Sequence, residues 1–103
     1  MTSLPSIQQQ GAYFRMRLTE LTKKHPIIKE VRGEGLMVGV ELGETCKHLV
    51  QQAMQEGLLM NVTHDVVMRF LPPYVVRERE IDKAVAIVAK LLKNFKPVQQ
   101  QAQ

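Results

Sequence analysis

The sequence predicts an α+β fold of two layers, in which a small, mainly antiparallel sheet of three or four strands carries helices on one face. Three observations lead to this fold class. Apolar residues recur every three or four positions over residues 7–25 and 81–95, as they do on the buried face of a helix. A run rich in apolar and β-branched residues occupies 36–42, and two shorter apolar runs, at 58–62 and 66–71, flank a polar triplet that favours a turn.

The first two predicted helices have recognisable ends. The first ends near Lys24, because Pro26 disfavours helical geometry in the residue before it. The second covers residues 45–56. We expect Thr45 to cap its start and Gly57 to end it in a left-handed conformation.

The strand at 36–42 is predicted to be buried on both faces, because its apolar residues are consecutive rather than alternating. Gly33 and Gly35 precede it. We interpret them as a bend by which the chain enters the sheet and not as a phosphate-binding loop, since such loops lead into a helix and not into a strand. Pro72 and Pro73 end the later hairpin, because neither can donate a hydrogen bond to a sheet.

The third predicted helix starts at Glu78 and ends near Asn94. The predicted order of elements is therefore helix, strand, helix, strand, strand, helix. The sequence contains no repeat of 20 to 50 residues, which excludes a solenoid.

The size and composition of the chain limit what it can build. It has 103 residues, of which 45% are hydrophobic and 23% charged, a composition typical of a globular domain. Such a chain buries about two-thirds of its unfolded surface, enough for one core but too little for a deep cleft between two lobes. We expect one domain over residues 7–96, with a disordered leader at 1–6 and a disordered tail at 97–103.

The charge pattern does not favour nucleic acid as a partner. The net charge is +4, but the basic residues are dispersed among acidic ones, and two tyrosines and three phenylalanines offer little surface for stacking bases. Cys46 is the single cysteine and cannot form an internal disulfide. Since no leader peptide and no run of about 18 apolar residues is recognisable, we expect a soluble, cytoplasmic protein that does not bind membranes.

The residues that a self-sufficient enzyme would use are sparse. No cysteine or histidine spacing suits a metal, so no metal site is predicted. Cys46 and His48 are two positions apart on a predicted helix and point to different sides. We interpret Cys46 as a small buried side chain and His64, in the predicted turn, as a solvated loop residue. The sequence therefore predicts no catalytic residue.

Arg69 is the exception within an apolar run. Strand alternation places its side chain on the opposite face from Met68 and Phe70. An arginine fixed at the end of a strand suits bidentate binding of a carboxylate. An ordinary arginine on the open face of the sheet would follow the same pattern, and the residues alone leave both interpretations open.

Three segments together resemble a known family. They read VRGEGLMVGVEL, then GLLMNVTHDVVMRFLPPYVV, then REREIDKAVAIVAKLL. In this order and spacing they resemble the C-terminal small domain of class III pyridoxal-phosphate-dependent aminotransferases. The resemblance covers about residues 7–95 and rests on the motifs Arg-Gly-x-Gly-Leu-Met and Arg-x-x-Pro-Pro.

The resemblance implies an activity and a place within a larger enzyme. Family members of this kind transfer an amino group between an N-acetylornithine-type donor and 2-oxoglutarate in arginine biosynthesis, as homodimers. A large preceding domain binds most of the pyridoxal phosphate. The chain would then be a fragment whose partner is that large domain, with no cofactor bound to it and no activity of its own. Arg69 matches the motif arginine that helps to recognise a substrate carboxylate.

The sequence departs from the family pattern at two positions, and an alternative function remains open. Arg77 stands where family members often have a serine or threonine that caps the last helix, and Tyr74 replaces an aliphatic residue. Substrate preference stays open among acetylornithine, ornithine, succinylornithine and 4-aminobutyrate. The alternative is a non-catalytic interaction or oligomerisation module, which would bury the face bearing Leu58, Met60 and Tyr74 in an oligomer.

Overall fold

The computed structural model describes residues 7–34, 37–70 and 77–96. The expectations for the leader, the tail, Gly35, Tyr74 and the Pro72-Pro73 pair lie outside these residues.

Within these ranges the chain forms three α-helices and four β-strands. In chain order they are α1 (Ile7–Leu21), β1 (Ile28–Glu34), β2 (Met37–Leu42), α2 (Leu49–Gln55), β3 (Met60–Thr63), β4 (Val67–Phe70) and α3 (Glu78–Lys93). The described helices include none that is both long and apolar enough to cross a membrane.

The strands form one sheet in the order β1-β2-β4-β3, with every neighbouring pair antiparallel. β2 and β4 are therefore the central strands and have a hydrogen-bonded neighbour on each side. The helices pack on one face of this sheet, and the predicted α+β fold of two layers is confirmed. The other face of the sheet, opposite the helices, is here called the open face.

The core lies between the sheet and the helices. Val38, Val40 and Leu42 of β2 are buried, whereas the residues between them are only partly so. The prediction that this strand is buried on both faces is therefore wrong. Because the described helices cover a single face, β2 alternates between core and open face despite its apolar run. The rings of Phe14 and Phe70 meet within the core, with their centroids 5.5 Å apart.

The strand that the sequence pattern missed is β1. It pairs with β2 along its length, with Gly33 opposite Val38. Gly33 therefore lies inside a strand and is not a bend before the sheet, which corrects the earlier interpretation. The strands approach closely at this point: a Cβ placed on Gly33 would lie 2.2 Å from the carbonyl oxygen of Met37.

The first helix ends earlier than predicted. α1 ends at Leu21, and the next residues form turns in which the N–H groups of both Lys24 and His25 donate to the carbonyl of Leu21. Pro26 therefore limits the helix, but the chain leaves helical geometry one turn before it.

The second helix begins later than predicted. α2 starts at Leu49 with His48 at the N-cap and no side-chain capping bond, so the capping role expected of Thr45 is wrong. The preceding segment is held instead by the later hairpin, because the N–H of Cys46 donates to the carbonyl of Asp65 at 2.8 Å. Gly57 has φ +94°, which confirms the left-handed end of the helix.

α3 has the predicted extent, from Glu78 to the C-cap at Asn94. Arg77 provides no side-chain cap, in keeping with the departure noted in the sequence. The Glu80 carboxylate supplies one of the two hydrogen bonds of a capping box, since it accepts a hydrogen bond from the backbone N–H of Arg77 at 2.9 Å.

A polar cluster joins α1 to α3 at the edge of the helical layer. The Tyr13 hydroxyl donates to the Asp82 carboxylate at 2.6 Å, and the Arg17 guanidinium pairs with the same carboxylate. This cluster fixes two helices against each other on the side of the sheet away from Arg69.

Candidate functional site

Arg69 projects from the open face of the sheet. Its strand neighbours Met68 and Phe70 are buried in the core, while Arg69 is partly exposed, as alternation predicted. β4 is a central strand, and it is paired through Asn61 on one side and Gly39 on the other at this position. The base of the Arg69 side chain is therefore held by the most constrained part of the sheet.

A transverse row of four residues crosses the open face at Arg69. The strand registers place Asn61, Arg69, Gly39 and Arg32 side by side on β3, β4, β2 and β1. Two arginines thus stand on either side of a glycine, about 10 Å apart at the backbone for two strand spacings.

An open, shallow hollow of about 470 Å³ lies over this row. Its lining residues come from all four strands and from the turn between β3 and β4. They are Arg32, Gly33, Met37, Val38, Gly39, Thr63, His64, Val67 and Arg69.

The two arginines of the row differ in their electrostatic environment. One guanidinium nitrogen of Arg32 lies 2.8 Å from a Glu30 oxygen and 3.0 Å from a Glu41 oxygen. The hydrogen bond to Glu41, assisted by the Glu30 charge, raises the pKa of Arg32 above its ordinary value. Among the described residues no carboxylate pairs with Arg69. Arg69 is thus the cation of the hollow that remains available to an anion from outside.

His64 also borders the hollow, from the tip of the β3–β4 hairpin. His64 and Asp65 both have positive φ, 53° and 65°, which gives the tip its tight turn. The predicted hairpin is confirmed, and His64 is exposed as expected for a loop residue. The structure adds that His64 borders the same hollow as Arg69, which the local sequence pattern does not indicate.

Cys46 lies in the core and is not placed to act as a nucleophile. Its side chain is fully buried, as predicted for a small apolar residue. Both ring nitrogens of His48 are buried without a hydrogen-bond partner in the described part of the chain, and its imidazole packs against Phe95 with ring centroids 5.4 Å apart. The described geometry therefore supplies no cysteine–histidine pair.

The Cys46 thiol should react slowly in the folded chain and rapidly once the chain is unfolded. Burial, with a smaller contribution from the Asp65 charge, raises the pKa of the Cys46 thiol from 9.0 to about 11. Because the folded state holds this proton more tightly than the unfolded state, the associated stability is complete below pH 9 and is lost as the pH rises toward 11. Allowing for solvent screening, the loss is roughly 1–2 kcal/mol.

Denaturant unfolding of the wild-type chain and of Cys46→Ala across this pH interval measures the effect. The wild type should lose more stability than the variant. An equal loss in both chains would assign the pH dependence to other groups.

The lysines of the chain do not suit the role of a cofactor lysine, and the described residues form no cluster of metal ligands. Every lysine of the chain lies in the described ranges and is exposed, and none lines the hollow. A lysine that forms an imine with a cofactor is typically held inside a site, with its pKa lowered by burial. No group of three or more histidine, cysteine, aspartate or glutamate side chains in these ranges is placed to hold a metal ion.

Comparison with known proteins gives a consistent set of relatives. The family model for Aminotransferase class-III matches residues 2–92. An acetylornithine aminotransferase of Caldanaerobacter subterraneus subsp. tengcongensis is 43% identical over 94 residues, covering 90% of this chain and 24% of the relative. An ornithine aminotransferase of a Geobacillus species is 47% identical over 81 residues, covering 79% of this chain and 20% of the relative.

Solved structures agree with the sequence relatives. A crystal structure of acetylornithine aminotransferase from Elizabethkingia anophelis superposes with a TM-score of 0.79 at 29% identity, covering 86% of this chain and 24% of that one. The ornithine aminotransferase from Toxoplasma gondii superposes with a TM-score of 0.73 at 33% identity, covering 92% of this chain and 23% of that one. The chain spans about a quarter of the length of these proteins.

Proposed function

Since the chain belongs to the class III aminotransferase family, we propose that it is the part of a pyridoxal-phosphate-dependent aminotransferase that receives a substrate carboxylate through Arg69. The observation that carries this proposal is the Arg69 guanidinium at the edge of an open hollow, with no carboxylate of the described residues paired to it. The remainder of the enzyme, including the large domain that binds the cofactor, would complete the site over this face.

The chemistry of Arg69 suits this role. Amino acids and 2-oxo acids share a carboxylate next to the carbon that exchanges the amino group. A guanidinium can bind such a carboxylate through two parallel hydrogen bonds, which fix the orientation of the substrate as well as its position. Because Arg69 extends from a central strand, little freedom of the backbone is lost when the substrate binds.

Pyridoxal phosphate, which the family implies for the complete enzyme, acts as an electron sink during amino transfer. The exposed lysines of this chain do not fit the role of a cofactor lysine. We therefore assign the cofactor to the remainder of the enzyme and the substrate carboxylate to this chain. By itself the chain should not catalyse transamination.

The proposed substrates follow the names of the relatives. Acetylornithine aminotransferases and ornithine aminotransferases are both among them. We propose an N-acetylornithine-type donor and 2-oxoglutarate as substrates, in arginine biosynthesis, within a cytoplasmic homodimer. The choice between acetylornithine and ornithine depends on residues that contact the donor's side chain, beyond the carboxylate that Arg69 binds.

The alternative, a non-catalytic interaction or oligomerisation module, receives less support. Of the apolar face expected for it, the two residues that the structure describes contribute to the core: Met60 belongs to it and Leu58 packs against it. Among the described residues, the large apolar side chains that are exposed are Met16, Met37, Met54 and Leu59. Of these only Met37 borders the hollow.

A segment exchange tests the proposed function. We would replace the matching segment of the Caldanaerobacter acetylornithine aminotransferase by this chain and measure transamination of N-acetylornithine with 2-oxoglutarate. If the chain is a functional equivalent, kcat/KM should stay within about tenfold of the parent enzyme, or about 1.4 kcal/mol of transition-state stabilisation.

The same exchange with the segment of the Aquifex aeolicus relative, which is 40% identical to this chain, is the matched control. A folded exchange enzyme without activity, beside an active control, would contradict the proposal.

A further inference from the structure

We propose that Gly39 is a specificity-determining residue of the hollow, whose missing side chain leaves the space through which a carboxylate and its adjoining carbon atoms reach Arg69. This inference rests on the proposed function of Arg69. It adds a limit on the size of the group that can approach the arginine.

The position of Gly39 is the first part of the argument. It pairs with Arg69 on one neighbouring strand and with Arg32 on the other, and it lines the hollow. Any side chain at residue 39 would therefore project from the open face between the two arginines.

The second part is that the fold does not need a glycine there. A Cβ placed on Gly39 would lie 3.4 Å from Cγ1 of Val67 and 3.8 Å from the carbonyl oxygen of Met68, both ordinary contacts. Gly33 on the next strand is different, because its Cβ would meet a carbonyl oxygen at 2.2 Å. The backbone at Gly39 also lacks the positive φ that requires glycine.

The third part is that a glycine here weakens the sheet. Glycine in the middle of a strand destabilises by roughly 0.5–1 kcal/mol relative to alanine. Glycine within a strand often marks a bulge, a bend or a place where a ligand or another backbone approaches closely. The pairing of Gly39 with Arg32 and Arg69 is regular, and among the described residues the nearest backbone atom would lie 3.8 Å from its Cβ, so these observations favour an approaching ligand.

A substitution series separates size from folding. Gly39→Ala should keep carboxylate binding within threefold of the wild type and should not lower stability, because its Cβ fits. Gly39→Leu should weaken binding of 2-oxoglutarate at least tenfold, because the longer side chain fills the hollow next to Arg69. Acetate, whose carboxylate carries a single methyl group, should lose no more than threefold in the same variant.

The experiment titrates the 103-residue chain with 2-oxoglutarate and with acetate and follows backbone amide shifts by NMR, in the wild type, Gly39→Ala, Gly39→Leu and Arg69→Ala. A selective loss of 2-oxoglutarate in Gly39→Leu supports the inference. Equal affinity of Gly39→Leu and wild type for 2-oxoglutarate, or an equal loss of both ligands, overturns it. Binding that is unaffected by Arg69→Ala would instead overturn the proposed function.

Discussion

Replacement of Arg69 by alanine should raise the KM for the substrates about ten- to hundredfold in the exchange enzyme described above. A hydrogen bond to a charged group contributes about 1.5–3 kcal/mol, and each 1.4 kcal/mol is a factor of ten in affinity. Among the described residues no carboxylate competes for Arg69. Steady-state kinetics with each substrate varied in turn measures the change.

Two further variants test whether the effect depends on the position of the charge and on the bidentate geometry of arginine. Arg79→Ala removes the same charge from an exposed position on α3, in the helical layer, and should leave KM within twofold. Arg69→Lys retains the charge but not the bidentate geometry and should fall between the wild type and Arg69→Ala. An unchanged KM for both substrates in Arg69→Ala would remove the carboxylate role.

Replacement of Gly33 by alanine should destabilise the fold by about 3 kcal/mol, among the larger effects of a single substitution. The added Cβ would lie 2.2 Å from the carbonyl oxygen of Met37 and 3.0 Å from Cα of Val38. Both are backbone atoms of the paired strand, which cannot move without separating β1 from β2. For a domain of this size the melting temperature should fall by about 12 °C or more. Thermal unfolding followed by circular dichroism measures it.

Gly43→Ala is the matched control, because the nearest atom to its Cβ would be the Ile27 carbonyl oxygen at 3.8 Å. We expect this variant to stay within about 0.5 kcal/mol of the wild type. Similar melting temperatures for the two variants would show that β1 tolerates a side chain at residue 33.

Local sequence signals were sufficient for much of the fold. The spacing of apolar residues identified α3 to within a residue at each end, because one buried stripe and a neighbouring cap define such a helix. The turn triplet at His64 and Asp65 identified the hairpin. Both features depend on residues that are close in sequence, so the chain itself carries the information.

Features set by distant contacts were not visible. β1 was missed because its open-face residues, Glu30 and Arg32, are charged, and it is stabilised by pairing with β2 and by ion pairs. The start of α2 was placed too early because Cys46 is held by Asp65, nearly twenty residues further on, and not by a helix cap. The double burial predicted for β2 was wrong because apolar content does not reveal on which face helices will pack.

In the candidate site, too, local sequence signals identified one residue, whereas distant contacts determined the others. Arg69 was identifiable because a charge within an apolar run must find a partner or leave the core. Gly39 and Arg32 could not be assigned to the same site, because the pairing of β2 with β4 joins strands that are separated by α2 and β3. Alternation along β4 identifies the residues of that strand that lie on the open face. Which residues of β2 lie beside them depends on the pairing of the two strands, which is known only from the folded sheet.

The alternation along β2 and β4 has a consequence for how this sheet can evolve. Val38, Val40, Met68 and Phe70 serve the core, whereas the residues between them contribute little to it. Substitutions on the open face that keep the ion pairs of Arg32 and the buried Val67 should therefore cost little stability, while those on the core face are strongly constrained. A lineage could therefore change the chemistry around Arg69 by successive substitutions and keep the same core and the same strand order.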